Sequence, residues 1–257
     1  MSLHVHTLGS GPDLVLLHGW GLNSDVWEDV AEQLARQYTV TLIDLPGHGR
    51  SLLTEPDYQL EQIAEQLAQA VPQPAIWVGW SLGGLIALQI AHQHPAQVNA
   101  LVMVASSPQF VQSDDWPHGV APEIFEKFAQ ELEEDYQATL NRFLAIQAMG
   151  SHEAKAEIRQ LRERLLRHDE PKVAALQGGL RLLQQSNLRH SLSTLSCPIK
   201  IILGRRDTLA PARAAKQLHQ QHKNLDISVI QGAAHTPFIS HPEQFLAILK
   251  EFIEHHV

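Results

Sequence analysis

A glycine–serine–glycine turn set between two apolar segments constrains this chain more than any other feature. Gly79-Trp80-Ser81-Leu82-Gly83-Gly84 follows the short β-rich run Ala75-Ile76-Trp77-Val78-Gly79 and opens a helix expected over 82–94, ended by Pro95. A turn this tight admits only small residues at Gly79 and Gly83. It lifts Ser81 Oγ above the strand and aims the first N–H groups of the helix at any developing negative charge. A strand that runs through G-x-S-x-G into a helix is the arrangement of a nucleophile elbow.

The rest of the chain repeats that alternation. Leu14-Val15-Leu16-Leu17, Thr39-Val40-Thr41-Leu42-Ile43 and Leu101-Val102-Met103-Val104-Ala105 are short, nearly continuous apolar runs, and 199–204 and 227–230 read the same way. Such runs suit strands buried on both faces of a parallel sheet. Amphipathic helices are expected between them over 24–37 and 59–71, then over 211–222 and from Pro242 onward. The fold class expected is α/β, a mostly parallel sheet with helices on both faces. From 110 to 189 no strand-like run occurs. Ile124, Phe128 and Leu132 form one helical stripe, and Leu140, Phe143, Leu144 and Gln147 another. This predicts a core of 1–109 and 190–257 interrupted by a helical cap over 110–189, above the carboxyl edge of the sheet, where open α/β sheets bind ligands.

Composition narrows the function classes. With 44% apolar and 18% charged residues in 257, the chain is globular rather than disordered or fibrous. A net charge of −9 disfavours nucleic acid or an anionic membrane as the main partner. The single cysteine, Cys197, cannot make an internal disulfide. No apolar run nears the ~18 residues of a membrane span, and residues 1–6 lack the plan of a signal peptide. A cytoplasmic monomer is expected. Histidine pairs at His4 and His6, His92 and His94, and His255 and His256 lack further ligands at metal-binding spacing, so no metal is expected.

A serine hydroxyl needs a base, and sixteen histidines compete for the role. In this architecture the acid and base follow the serine in the order Ser, Asp, His, on loops at the carboxyl ends of later strands. Asp207 follows the run 199–204, and His235 follows the run ending near Ile230. Asp226 precedes its strand, and His241 stands before Pro242 at a helix start, so neither is placed for the task. The catalytic candidates are therefore Ser81, Asp207 and His235. Oxyanion donors are expected from the backbone N–H of Leu82 and of Trp20, in the loop His18-Gly19-Trp20-Gly21. His18 precedes the elbow and closes a strand, so its expected role is to hold that loop.

Together the elbow, the 18–21 loop, Asp207 and His235 resemble the α/β-hydrolase superfamily over nearly the whole chain. Longer stretches sharpen the likeness: Leu16-Leu17-His18-Gly19-Trp20-Gly21-Leu22-Asn23, Val104-Ala105-Ser106-Ser107-Pro108, Arg142-Phe143-Leu144-Ala145-Ile146-Gln147-Ala148-Met149-Gly150, and Ala233-Ala234-His235-Thr236-Pro237-Phe238. These resemble the carboxylesterases that act on the methyl ester of pimeloyl-[acyl-carrier protein] in biotin synthesis. The resemblance implies a serine esterase without cofactor, with a carrier protein bearing a methyl pimeloyl chain as partner. It implies an acyl path along Trp20, Ser81, Leu82, Phe143, Leu144, Ala145, Ile146, Gln147 and His235, although Phe143 and Leu144 equally suit packing of cap on core. A broad short-chain esterase, a carbon–carbon bond hydrolase and a non-catalytic ligand receptor of the same fold stay open.

Charge distribution bears on the partner independently. From Arg142 to Arg189 nine basic residues face five acidic ones, an excess of four, so the remainder of the chain carries −13. Acyl carrier proteins are strongly acidic, and a basic cap on an acidic body would orient one. Arg142, Lys155, Arg159 and Arg162 are the docking candidates, the last three sharing a helix face at i, i+4 and i+7. Where the resembling family carries a basic residue one turn before Arg142, this chain has Ala138.

Overall fold

A computed structural model describes residues 3–53, 58–222 and 225–256. In chain order the elements are β1 (Val5–Gly9), β2 (Asp13–Leu17), α1 (Glu28–Leu34), β3 (Thr39–Ile43), α2 (Leu60–Ala70), β4 (Ala75–Trp80), α3 (Leu82–Gln93) and β5 (Val98–Val104). Five helices follow: α4 (Pro122–Glu134), α5 (Tyr136–Gln147), α6 (Ala154–Leu165), α7 (Val173–Gln185) and α8 (Arg189–Thr194). The chain then returns through β6 (Ile199–Gly204), α9 (Ala212–Gln221), β7 (Leu225–Ile230), α10 (Pro237–Ser240) and α11 (Pro242–Glu254).

The seven strands form one sheet in the order β1-β3-β2-β4-β5-β6-β7, parallel throughout except for β1, which runs antiparallel to β3. Every residue of β4 and β6 is buried, as a strand covered on both faces requires. All of α3 from Leu82 to Ala91 is buried as well, because the sheet, α2, α7 and α8 surround it. An apolar surface on all sides suits a helix only in that position.

The elements depart from the sequence expectations in four places. The antiparallel edge strand β1 was not anticipated: its side chains are mostly exposed, so Val5-His6-Thr7-Leu8-Gly9 carries no apolar run to reveal it. The helix expected over 24–37 divides into a 3₁₀ turn, Ser24–Trp27, capped by Asn23 Oδ1 on the Asp25 N–H, and the shorter α1. In α4 the buried stripe is Phe125, Phe128 and Leu132, whereas Ile124 points outward. The stretch before α4 is not helical either; backbone bridges join Val111 to Val120 and Ser113 to Trp116. Among the described residues no helix is long and apolar enough to cross a membrane.

Candidate active site

The β4–α3 junction is built by exclusion of side chains. A Cβ on Gly79 would lie 2.2 Å from Gly83 O, and one on Gly83 would lie 2.5 Å from His18 O and 2.6 Å from Leu17 O. With those residues reduced to backbone, α3 starts immediately after β4 and forces Ser81 to φ 54°, ψ −118°, a strained geometry for a residue with a side chain. The strain is held by hydrogen bonds on both sides. Ser81 N–H donates to Val104 O, and Ser81 O accepts from Gly84 N–H, Leu85 N–H and Ser106 Oγ (2.7 Å). Ser106 thus clamps the elbow from the end of β5, and Ala105 beside it is the other described non-glycine residue at positive φ.

Asp207 and His235 meet on the loops after β6 and β7. His235 Nδ1 lies 2.8 Å from Asp207 Oδ2, and both side chains are buried. The other carboxylate oxygen, Oδ1, accepts from the N–H groups of Leu209 (2.8 Å) and Ala210 (2.9 Å), so the carboxylate has one orientation available. His235 is fixed through its backbone too: its N–H donates to Gln147 O, and its carbonyl accepts from Trp80 Nε1 at 2.8 Å. Trp80, the variable position of the serine motif, lies with its ring 5.7 Å from the imidazole, so the residue beside Ser81 also seats His235. Among the described residues His235 Nε2 has no hydrogen-bond partner, Ser81 Oγ included.

The 18–21 loop faces the same junction. A Cβ on Gly19 would meet the Trp80 ring at 3.0 Å, and Gly21 takes φ +72°. His18 holds the loop: its Nε2 accepts the Leu45 N–H and its Nδ1 donates to Gly19 O, both at 2.8 Å, which fixes the tautomer. Burial keeps this imidazole below its ordinary pKa and neutral. Below it Asp44 accepts from Ser24 N–H, Arg50 N–H and Arg50 Nε. Burial, the largest single effect, opposes that charge, but the hydrogen bonds from Arg50 and Ser24 together with the neighbouring His18 outweigh it and hold the carboxyl well below the usual range. Trp20 Nε1 bonds Leu176 O, and its ring packs edge-on against Phe143 at 4.7 Å. The backbone N–H groups of Trp20 and Leu82 donate to no protein acceptor among the described residues.

The family model described as the alpha/beta hydrolase fold matches residues 12–242. The chain belongs to the α/β-hydrolase fold family. Relatives called pimeloyl-[acyl-carrier protein] methyl ester esterase occur in Aeromonas hydrophila (46% identity over 98% of this chain and all of that protein) and Aeromonas salmonicida (47%, 98% and 100%). Another, from Xanthomonas campestris, is 43% identical over 98% of each chain. Among solved structures, an esterase from Exiguobacterium antarcticum superposes with a TM-score of 0.89 at 22% identity, covering 98% of this chain and 95% of its own. A bromoperoxidase from Bacillus anthracis gives 0.89 at 21%, with the same coverage. At that identity the likeness speaks for the α/β-hydrolase fold alone.

In this α/β-hydrolase the inserted helices treat the residues of α5 differently. Phe143, Leu144 and Gln147 are buried, and both side-chain amide atoms of Gln147 lack partners among the described residues. Ile146 is half-buried and lines a separate outer groove of about 460 Å³ with Val120, Ile124, Phe128, Met149 and Leu209. Ala145 is exposed, on the face of α5 away from Phe143 and Leu144, so the helical period removes it from the expected acyl path. Among the described residues, four of the nine basic residues in 142–189 bond acids outside the segment: Arg142 to Glu131, Arg164 to Asp29, Arg167 to Glu28 and Arg189 to Asp115. Arg142 also lies over the Phe128 ring. Lys155, Arg159 and Arg162 stay exposed on α6, with only a 3.9 Å contact from Arg159 to Glu163 among the described residues. Sequence reasoning missed the roles of Trp80 and Ser106; the first lies inside the serine motif, and the second follows β5 directly.

Proposed function

We propose that this chain hydrolyses the methyl ester of pimeloyl-[acyl-carrier protein], releasing methanol and the free carboxylate for biotin synthesis. The identity of 46–47% sustained over 98% of the chain, inserted helices included, carries the choice of substrate. The chain is a carboxylic ester hydrolase, and the geometry supports a two-step route. His235 Nε2, which has no partner among the described residues, takes the Ser81 proton as Oγ attacks the ester carbonyl. The Trp20 and Leu82 N–H groups, uncommitted to other acceptors among the described residues, receive the oxyanion. Methanol leaves with the proton from His235. A water deprotonated by the same imidazole then attacks the acyl-serine and frees the acid. Asp207 keeps Nδ1 protonated and stabilises the imidazolium.

Helices α4–α7 act in this reading as a cap over the serine, with the acyl chain against Trp20, Phe143, Leu144 and Gln147. The exposed face of α6, with Lys155, Arg159 and Arg162, receives the acidic carrier, and Arg142 contributes less because Glu131 and Phe128 already engage it. The test is methanol release from methyl pimeloyl carrier protein by the purified enzyme and by Ser81→Ala. Wild type should release it and the variant should not. Failure of wild type on this substrate alongside turnover of short esters would replace the reading with a broad esterase.

A further inference from the structure

Glu157 is a carboxylate that the reaction above does not use, yet it is almost fully buried (1% exposed). It lies on the inner face of α6, opposite Lys155, Arg159 and Arg162. Its partners are two hydroxyls: Oε2 accepts from Thr236 Oγ1 and Oε1 accepts from Ser151 Oγ. No cation pairs with it among the described residues. Burying a carboxylate without a counter-charge costs stability, and two hydroxyl donors offset that cost only in part. A residue kept at such a cost suggests a task beyond packing.

The position of its partners indicates the task. Thr236 is fully buried and immediately follows His235. Ser151 lies between α5 and α6, in a segment that reaches the same loops by other bonds. The His235 N–H donates to Gln147 O at 3.0 Å, and Arg206, next to Asp207, donates through Nη1 to Gly150 O at 2.7 Å. Residues from Gln147 to Glu157 therefore hold the loops carrying both Asp207 and His235. Within that segment Glu157 supplies the side-chain link to Thr236, the residue next to His235.

We infer that Glu157 is a positioning residue that seats the His235 loop through Thr236, so that the imidazole is aligned for catalysis when α6 is docked on the core. The inference rests on His235 acting as the base proposed above. Misplacement of a catalytic group by about 1 Å can cost on the order of 10²-fold in rate. Loss of one of several loop anchors should therefore cost kcat rather than substrate affinity.

The experiment uses the full chain and a short p-nitrophenyl ester, which needs no carrier protein. Glu157→Ala should lower kcat by about tenfold or more with KM nearly unchanged, and slow the labelling of Ser81 by a fluorophosphonate in parallel. Glu157→Gln keeps an acceptor for Thr236 and a donor for Ser151 Oγ, and should recover most of the loss. Thr236→Val should reproduce the defect if Glu157→Ala proves unstable, and the double variant should be no slower than the worse single one. If both single variants melt lower but hold kcat within about twofold, or if their effects multiply in the double variant, the positioning role is overturned. Ser81→Ala in the same assay separates the two readings. Turnover retained there overturns the serine-esterase mechanism, whereas an inactive Ser81→Ala beside an unaffected Glu157→Ala removes only the role of Glu157.

Discussion

Asp207 Oδ2 lies 2.8 Å from His235 Nδ1 while Oδ1 of the same carboxylate holds the Leu209 and Ala210 N–H groups. One side chain thus builds the loop and sets the histidine tautomer, and Asp207→Asn separates the two tasks. The amide oxygen can still accept from Leu209 and Ala210, so melting temperature should change little. The amide N–H₂ would face Nδ1 and favour the tautomer with a proton on Nε2, which cannot accept one from Ser81. Turnover of a short ester should fall by about 10⁴. Activity within tenfold of wild type would show that Asp207 does not govern the tautomer.

Acid sensitivity should trace to His48 rather than to Asp44. His48 is fully buried, with Nδ1 3.0 Å from Pro46 O and its ring 5.4 Å from that of His18. Burial, reinforced by His18, pushes its pKa down to about 3, from an ordinary 6.5. Between those values the unfolded chain binds a proton that the folded protein refuses, so this contribution is complete above pH 6.5 and is lost as pH falls. The depressed Asp44 carboxyl has the other window: its contribution persists down to its ordinary 3.8 and is lost only below that. Stability, followed as the melting temperature, should therefore drop between pH 6.5 and 4.5, the unfolding free energy falling by up to about 1.4 kcal/mol per pH unit for each histidine kept neutral. His48→Asn retains a donor for Pro46 O and should flatten the decline. An unchanged slope would place the acid sensitivity elsewhere.

Local chemistry made the centre of the molecule readable in the sequence. The glycines around Ser81 are dictated by backbone contacts within a few residues of the turn and with the end of β2, and Asp207 and His235 follow strands that announce themselves as apolar runs. What could not be read depends on distance along the chain. Thr236 meets Glu157 across 79 positions, and Trp80 meets the His235 carbonyl across 155. The edge strand β1 escaped for a different reason, since its pairing with β3 buries too little side chain to leave a pattern. Ile124 was misassigned because a stripe at i, i+4 and i+8 differs from one at i, i+3 and i+7 by a single residue, and only packing against α5 and α7 chooses Phe125.

Gly83 should tolerate no side chain. The atoms a Cβ would strike, His18 O and Leu17 O, are backbone at the end of β2 and have no rotamer to adopt. Gly83→Ala must push α3 away from the sheet, carrying the Leu82 N–H out of line with Trp20. The substitution should cost about 1–3 kcal/mol, as overpacking in a filled core does, and activity should fall further than stability does. A melting temperature within a degree of wild type would mean that α3 can slide along β2.

The basic face of α6 makes a prediction that separates docking from chemistry. Arg164 and Arg167, at the same end of the insertion, are bound to Asp29 and Glu28 and hold it to α1. Lys155, Arg159 and Arg162 have no such anchor among the described residues of the core and stay exposed, so reversing them leaves those links between insertion and core intact. Arg159→Glu with Arg162→Glu should raise KM for methyl pimeloyl carrier protein, with kcat and short-ester turnover retained. Exposed charges are screened over about 8–10 Å at 0.1–0.15 M salt. Added salt should therefore weaken wild type toward the variant while affecting the variant less. An equal loss on carrier-linked and short esters would assign these arginines to stability instead, and salt independence in wild type would remove electrostatic steering from the account.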